Sequence, residues 1–149
     1  MIELPSKRTS RTATDIYMIV LSVSMLIFFN FFRDYIAFYH DGVREPLITP
    51  EFVKWLWIRN PTLGFVLITH SISLAFKNYK FRDRVLIFLV ILEVASTAIL
   101  LTLFPFDFSI LPSGDVAKWS ELGLKLALIL TIVVYSTVGL VRIFKSIQR

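Results

Sequence analysis

The chain alternates long apolar stretches with short polar ones, and four of the apolar stretches reach the roughly 20 residues of a bilayer crossing. The first is uncharged from Ile16 to Phe32 and continues through an aromatic stretch, which predicts a span over about residues 16–38. The second covers 61–76 and is short, so tilt or the preceding Trp57-Ile58 must help it match the bilayer; the third covers 85–104 up to Pro105, and the fourth about 120–141. Either Thr14 or Asp15 can cap the first helix, and Asn60 the second, with Pro61 in the first turn where its missing N–H costs nothing. The fourth helix is expected to start earlier than its apolar run, near Ser113 or Asp115, because Glu121 and Lys125 form a well-oriented i,i+4 pair.

Between the first two spans, Thr49-Pro50-Glu51 reads as a helix start, and Phe52, Trp55 and Leu56 follow at i, i+3 and i+4. This predicts a short amphipathic helix over 50–59 lying in the membrane interface and anchored by Trp55 and Trp57. The expected fold is therefore all-α: a polytopic membrane protein of four transmembrane helices in an antiparallel bundle, with one interfacial helix in the first outer loop.

Composition agrees with that pattern. Apolar residues form 56% of the 149, against roughly 45–50% in soluble domains, and charged residues only 18%. The length fits one domain. Lys7, Arg8 and Arg11 before an apolar run also resemble a signal peptide, but the run leads into Arg33-Asp34-Tyr35 and not into small residues, so a retained span is expected.

Charge then gives an orientation. The amino-terminal tail carries Lys7, Arg8 and Arg11, the second connection Lys77, Lys80, Arg82 and Arg84, and the carboxyl end Arg142, Lys145 and Arg149. All three segments fall on one side of a four-span arrangement. The opposite side balances its charges in the first connection and leans acidic in the third, with Asp107, Asp115 and Glu121 against Lys118. The excess of Lys and Arg on one side predicts that both termini are cytoplasmic. The net charge of +5 thus faces lipid headgroups, and nucleic acid is not an expected partner.

Ionisable side chains inside spans are costly and turn toward the bundle interior. His70 and Glu93 are the two here, both about 10–14 Å from the cytoplasmic boundary by helical rise. Ser73 and Thr69 lie near His70, Ser96 and Thr97 follow Glu93 at i+3 and i+4, and Tyr135, Ser22 and Ser24 reach a similar depth. The candidate intramembrane cluster is accordingly His70, Glu93, Ser73, Ser96, Thr97 and Tyr135. It reads either as a proton-exchanging or ligand-anchoring group, or as ordinary interhelical hydrogen bonding.

Cofactor chemistry finds little support. Bis-histidine haem needs a second ligand, and His40 lies beyond the first span at an unmatched depth. His40-Asp41 has no further metal ligands at useful spacing, and the chain has no cysteine. There is no phosphate loop, paired-histidine zinc motif or serine-nucleophile elbow. Neither a cofactor nor a catalytic set is expected. The leading expectation is a non-catalytic or accessory subunit of a membrane complex, with the bilayer and other membrane chains, or copies of itself, as partners. The alternatives are a small proton-coupled carrier using Glu93 and His70, and a redox subunit binding quinone, lipid or haem.

Overall fold

The computed structural model describes residues 7–77 and 79–147. The side chains of Lys7, Arg8, Lys80 and Lys145, and all of Arg149, lie outside the described residues. Helix α1 (Lys7–Ile27) runs on through a π-helical turn over Phe28–Phe32 and a 3₁₀ turn over Arg33–Tyr35. A β-hairpin follows, β1 (Ala37–His40) and β2 (Val43–Pro46), and then α2 (Phe52–Phe76), α3 (Tyr79–Leu103) and α4 (Gly114–Ile147).

The hairpin corrects the expected extent of the first span. The helix stops at Tyr35, and Ala37 to His40 pair antiparallel with Val43 to Pro46 across a two-residue turn. Asp41 and Gly42 both have positive φ, 49° and 78°, the conformation that lets a tight turn follow the right-handed twist of its strands. Asp-Gly flanked by aromatic and β-branched residues is itself a hairpin signal.

The second correction concerns residues 50–59. No separate interfacial helix forms: Phe52 to Phe76 is one continuous helix of 25 residues with Pro61 inside it, and Asn60 caps nothing. Phe52, Trp55 and Leu56 are buried with Leu100, and Phe29, Ile48, Leu103, Phe106 and Leu128 pack around them. The i, i+3, i+4 pattern marks a core contact, and that packing carries the helix through Pro61 against its local preference to break there. Trp55 donates its indole N–H to the Ser96 carbonyl at 2.9 Å and meets Phe52 and Phe29 with ring centroids 4.9 and 5.2 Å away. Trp57, two positions on, is 79% exposed and retains the position of an interface anchor.

Around this cluster the connections are tied together. Thr49 N–H donates to the Pro105 carbonyl at 3.0 Å, and Asp107 N–H to that of Leu47 at 2.8 Å. At the other end of α2, Lys77 is left-handed (φ 50°), and α3 begins two residues later. Ser113 Oγ accepts from Val116 N–H and starts α4, which includes the Glu121–Lys125 ion pair.

The helices pack in chain order: α1 on α2, α2 on α3, α3 on α4, each antiparallel to the one before. Asn30 and Asn60 exchange two amide hydrogen bonds, 3.0 and 2.9 Å, between α1 and α2. Gly139 lets α4 approach α3 closely, since a Cβ there would stand 3.0 Å from Val90. Three stretches, Arg11–Tyr35, Arg84–Leu103 and Gly114–Phe144, are long and apolar enough to cross a membrane, and their outward apolar side chains suit lipid. The chain is a multi-pass helical membrane protein. Helix α2 is not among the three; it carries Lys54, Arg59, Asn60 and His70, and it lies between α1 and α3.

Candidate functional site

Two ion-paired centres lie between the helices, at different levels. The first gathers at the end where α1 and α3 start and α2 ends. Asp15, completely buried in the second turn of the bilayer-length stretch of α1, accepts from Arg82 of α3 at 2.9 Å and from Ser73 Oγ of α2 at 2.9 Å. His70 Nδ1 stands 2.7 Å from the same carboxylate. Asp15 is ion-paired with the Arg82 guanidinium, and a carboxylate in such a pair only accepts, so His70 carries its proton on Nδ1 and donates it. His70 Nε2 is buried and has no hydrogen-bond partner.

The second centre is deeper. Arg59 of α2 donates through Nη1 to Glu93 Oε2 of α3 at 2.5 Å, with Met25 Sδ 3.6 Å from Nη2 and the Trp55 ring 5.9 Å from its guanidinium carbon. A cation and an anion in apolar surroundings are tolerable only when matched in this way, because either alone would bear its full desolvation cost. Arg82 and Glu93, eleven residues apart on α3, put the two centres about 16 Å apart along the bundle.

One cavity of about 660 Å³ reaches both. All four helices line it: Met18 from α1, Val66 and His70 from α2, Arg82, Leu86, Leu89 and Glu93 from α3, and Tyr135, Val138 and Arg142 from α4. Because packing follows chain order, α1 and α4 stand on its two sides. Its volume and its mostly apolar lining with a few convergent polar groups are those of a small-molecule site.

The residues singled out from the sequence divide accordingly. His70 and Ser73 meet at Asp15, and Glu93 and Tyr135 join His70 on the cavity wall. His70 and Glu93 are not bonded to each other; each has its own partner on another helix. Ser96 is buried, but its carbonyl serves Trp55. Thr97 Oγ1 donates to the Glu93 carbonyl one turn back, as Ser22 does to Met18 and Thr62 to Ile58, which is local helix bonding. Ser24 is exposed and Thr69 buried without joining either centre.

Sequence reasoning missed Asp15, Arg59 and Arg82. Asp15 reads in the sequence as a cap, Arg59 as the end of an interfacial helix, and Arg82 as a charge of the second connection. The available signal was their level: Asp15 and Arg82 each stand near the start of parallel helices, and His70 near the end of the antiparallel one between them. His40 lies in the hairpin, 3.3 Å from Asp41, at the far end from His70. Among the described residues no group of three or more His, Cys, Asp or Glu converges as a metal site. The chain matches no protein-family model, no curated protein and no solved structure.

Proposed function

We propose that the chain is a non-catalytic accessory membrane protein that takes a small amphipathic molecule from the bilayer into the cavity between its four helices. The observation supporting this reading is the cavity itself, apolar over most of its wall and polar at Thr14, His70, Arg82, Glu93, Tyr135 and Arg142. In this reading α2 crosses the bilayer as a fourth span. Its 25 residues extend about 37 Å, and α1 and α3 partner the polar groups that lipid would not tolerate.

The test is photolabelling of the full chain in phosphatidylcholine nanodiscs with a diazirine-bearing long-chain alcohol. Labelling of cavity residues such as Leu86 and Val138, suppressed by the cavity-filling Val138→Trp, is the expected result. Labels confined to the lipid-facing sides of α1 and α4, and indifferent to Val138→Trp, would sink the proposal.

Both termini are cytoplasmic in this reading, supported by the basic residues Arg11, Lys77, Arg84 and Arg142 at the Asp15 end. The chain has no cysteine, so single cysteines report cleanly. An impermeant maleimide added to intact cells is expected to label Val43→Cys in the hairpin and to spare Lys77→Cys; the reverse pattern would invert the topology.

A further inference from the structure

We propose that the cavity holds the headgroup of a long-chain carboxylic acid, gripped between Arg142 and the buried, unpartnered Nε2 of His70, with the acyl chain leaving toward lipid between α1 and α4. The inference rests on the amphiphile-binding reading above and names the class of ligand.

The argument starts from which charges are already answered. Arg82 is matched by Asp15, and Glu93 by Arg59. Arg142, which lines the same cavity from α4, has no hydrogen-bond or ion-pair partner among the described residues. The cavity therefore carries one unanswered cation. It also carries a buried ring nitrogen without a partner, since His70 is 2% exposed, its Nδ1–H is committed to Asp15, and its Nε2 has no hydrogen bond among the described residues. A buried polar atom without a partner keeps its desolvation cost uncompensated, a cost that a ligand can remove.

The two requirements differ in kind, and together they select a headgroup. Arg142 calls for an anion, ideally one with paired oxygens. His70 calls for a group that shares a proton: with Nδ1 protonated, Nε2 is a lone pair on the neutral ring and a donor only on the imidazolium. A carboxylic acid serves both. One oxygen faces the guanidinium, and the other either donates its O–H to Nε2 or, after transfer of that proton, accepts Nε2–H. The atoms and the single shared proton are the same in both forms. An alcohol brings a proton but no charge for Arg142, and a sulfate ester brings charge but no proton for a neutral imidazole. The other polar groups bearing on His70 are Asp15 from α1, Ser73 on its own helix, Arg82 and Glu93 from α3, and Tyr135 from α4. Met18, Leu86 and Val138 supply apolar contact for the first methylenes.

The experiment is competition against the photoreactive alcohol in phosphatidylcholine nanodiscs, using oleate, oleyl alcohol and oleyl sulfate, which share one chain. Oleate is expected to displace the probe at concentrations lower by about tenfold or more, a difference of about 1.4 kcal/mol or more. Arg142→Gln and His70→Asn should each reduce oleate to the level of the alcohol. Neither substitution removes a structural partner: Arg142 has none among the described residues, and asparagine keeps an amide donor where Nδ1 meets Asp15. Equal displacement by oleate and oleyl alcohol, with cavity residues still labelled, overturns the headgroup assignment and leaves the cavity reading standing. Oleyl sulfate competing as well as oleate overturns the shared proton. Absence of cavity labelling overturns both readings together.

Discussion

Arg82→Leu is expected to destabilise the protein by about 3–5 kcal/mol, the cost of leaving a buried charge without its counter-charge. Asp15 would keep only His70 and Ser73 as partners while remaining fully buried. Three helices meet at that carboxylate, so the loss should appear as a lower melting temperature and as aggregation on size-exclusion chromatography in mild detergent. Combining it with Asp15→Asn should recover most of the loss, because a neutral amide no longer needs the guanidinium and can still bond to His70 and Ser73. A melting temperature for Arg82→Leu equal to that of the parent chain would show that the carboxylate draws no net stability from the ion pair.

The second large effect is expected at the deeper centre. Glu93→Gln keeps the shape of the side chain and removes its charge, leaving the Arg59 guanidinium with a neutral acceptor, Met25 and the Trp55 ring. Hydrogen bonds to charged groups are worth about 1.5–3 kcal/mol, and a loss of that size is expected. The two centres share no partner and are well separated, so the losses from Glu93→Gln and Arg82→Leu should add to within about 0.5 kcal/mol. Marked non-additivity would mean that the two form one electrostatic unit through the cavity. The same Glu93→Gln chain in proteoliposomes tests the carrier alternative, since pH-dependent uptake that survives the substitution would rule out Glu93 as its proton site.

What the sequence made legible was whatever depends on local pattern. Four helices, the stop near Pro105, the early start of α4 and the apolar surfaces all follow from run length, capping and i,i+4 spacing. His70 and Glu93 stood out because an ionisable group inside an apolar run has few structural excuses. The rest depended on facts that pattern does not hold. Pro61 reads as a helix start, and only the burial of Phe52, Trp55 and Leu56 against Leu100 and Phe106 carries the helix back to Phe52. Asp15 in isolation makes a good N-cap and becomes a buried anion only once Arg82 of another helix is beside it. The hairpin has a local signal in the Asp41-Gly42 turn, which competes with an aromatic run before it that reads as helix.

The placement of the tryptophans has a practical consequence for following this molecule by light. Trp55 is packed in the aromatic cluster beside the hairpin connection, Trp57 is exposed near it, and Trp119 is exposed at the start of α4, so all three lie toward one end. None lines the cavity or touches Asp15, His70 or Arg82. Tryptophan emission will therefore report chiefly the loosening of the hairpin end and have no direct contact with proton movement at His70. An indole introduced at Leu86, which shares the cavity wall with His70, would turn that silent half of the bundle into the emitting one.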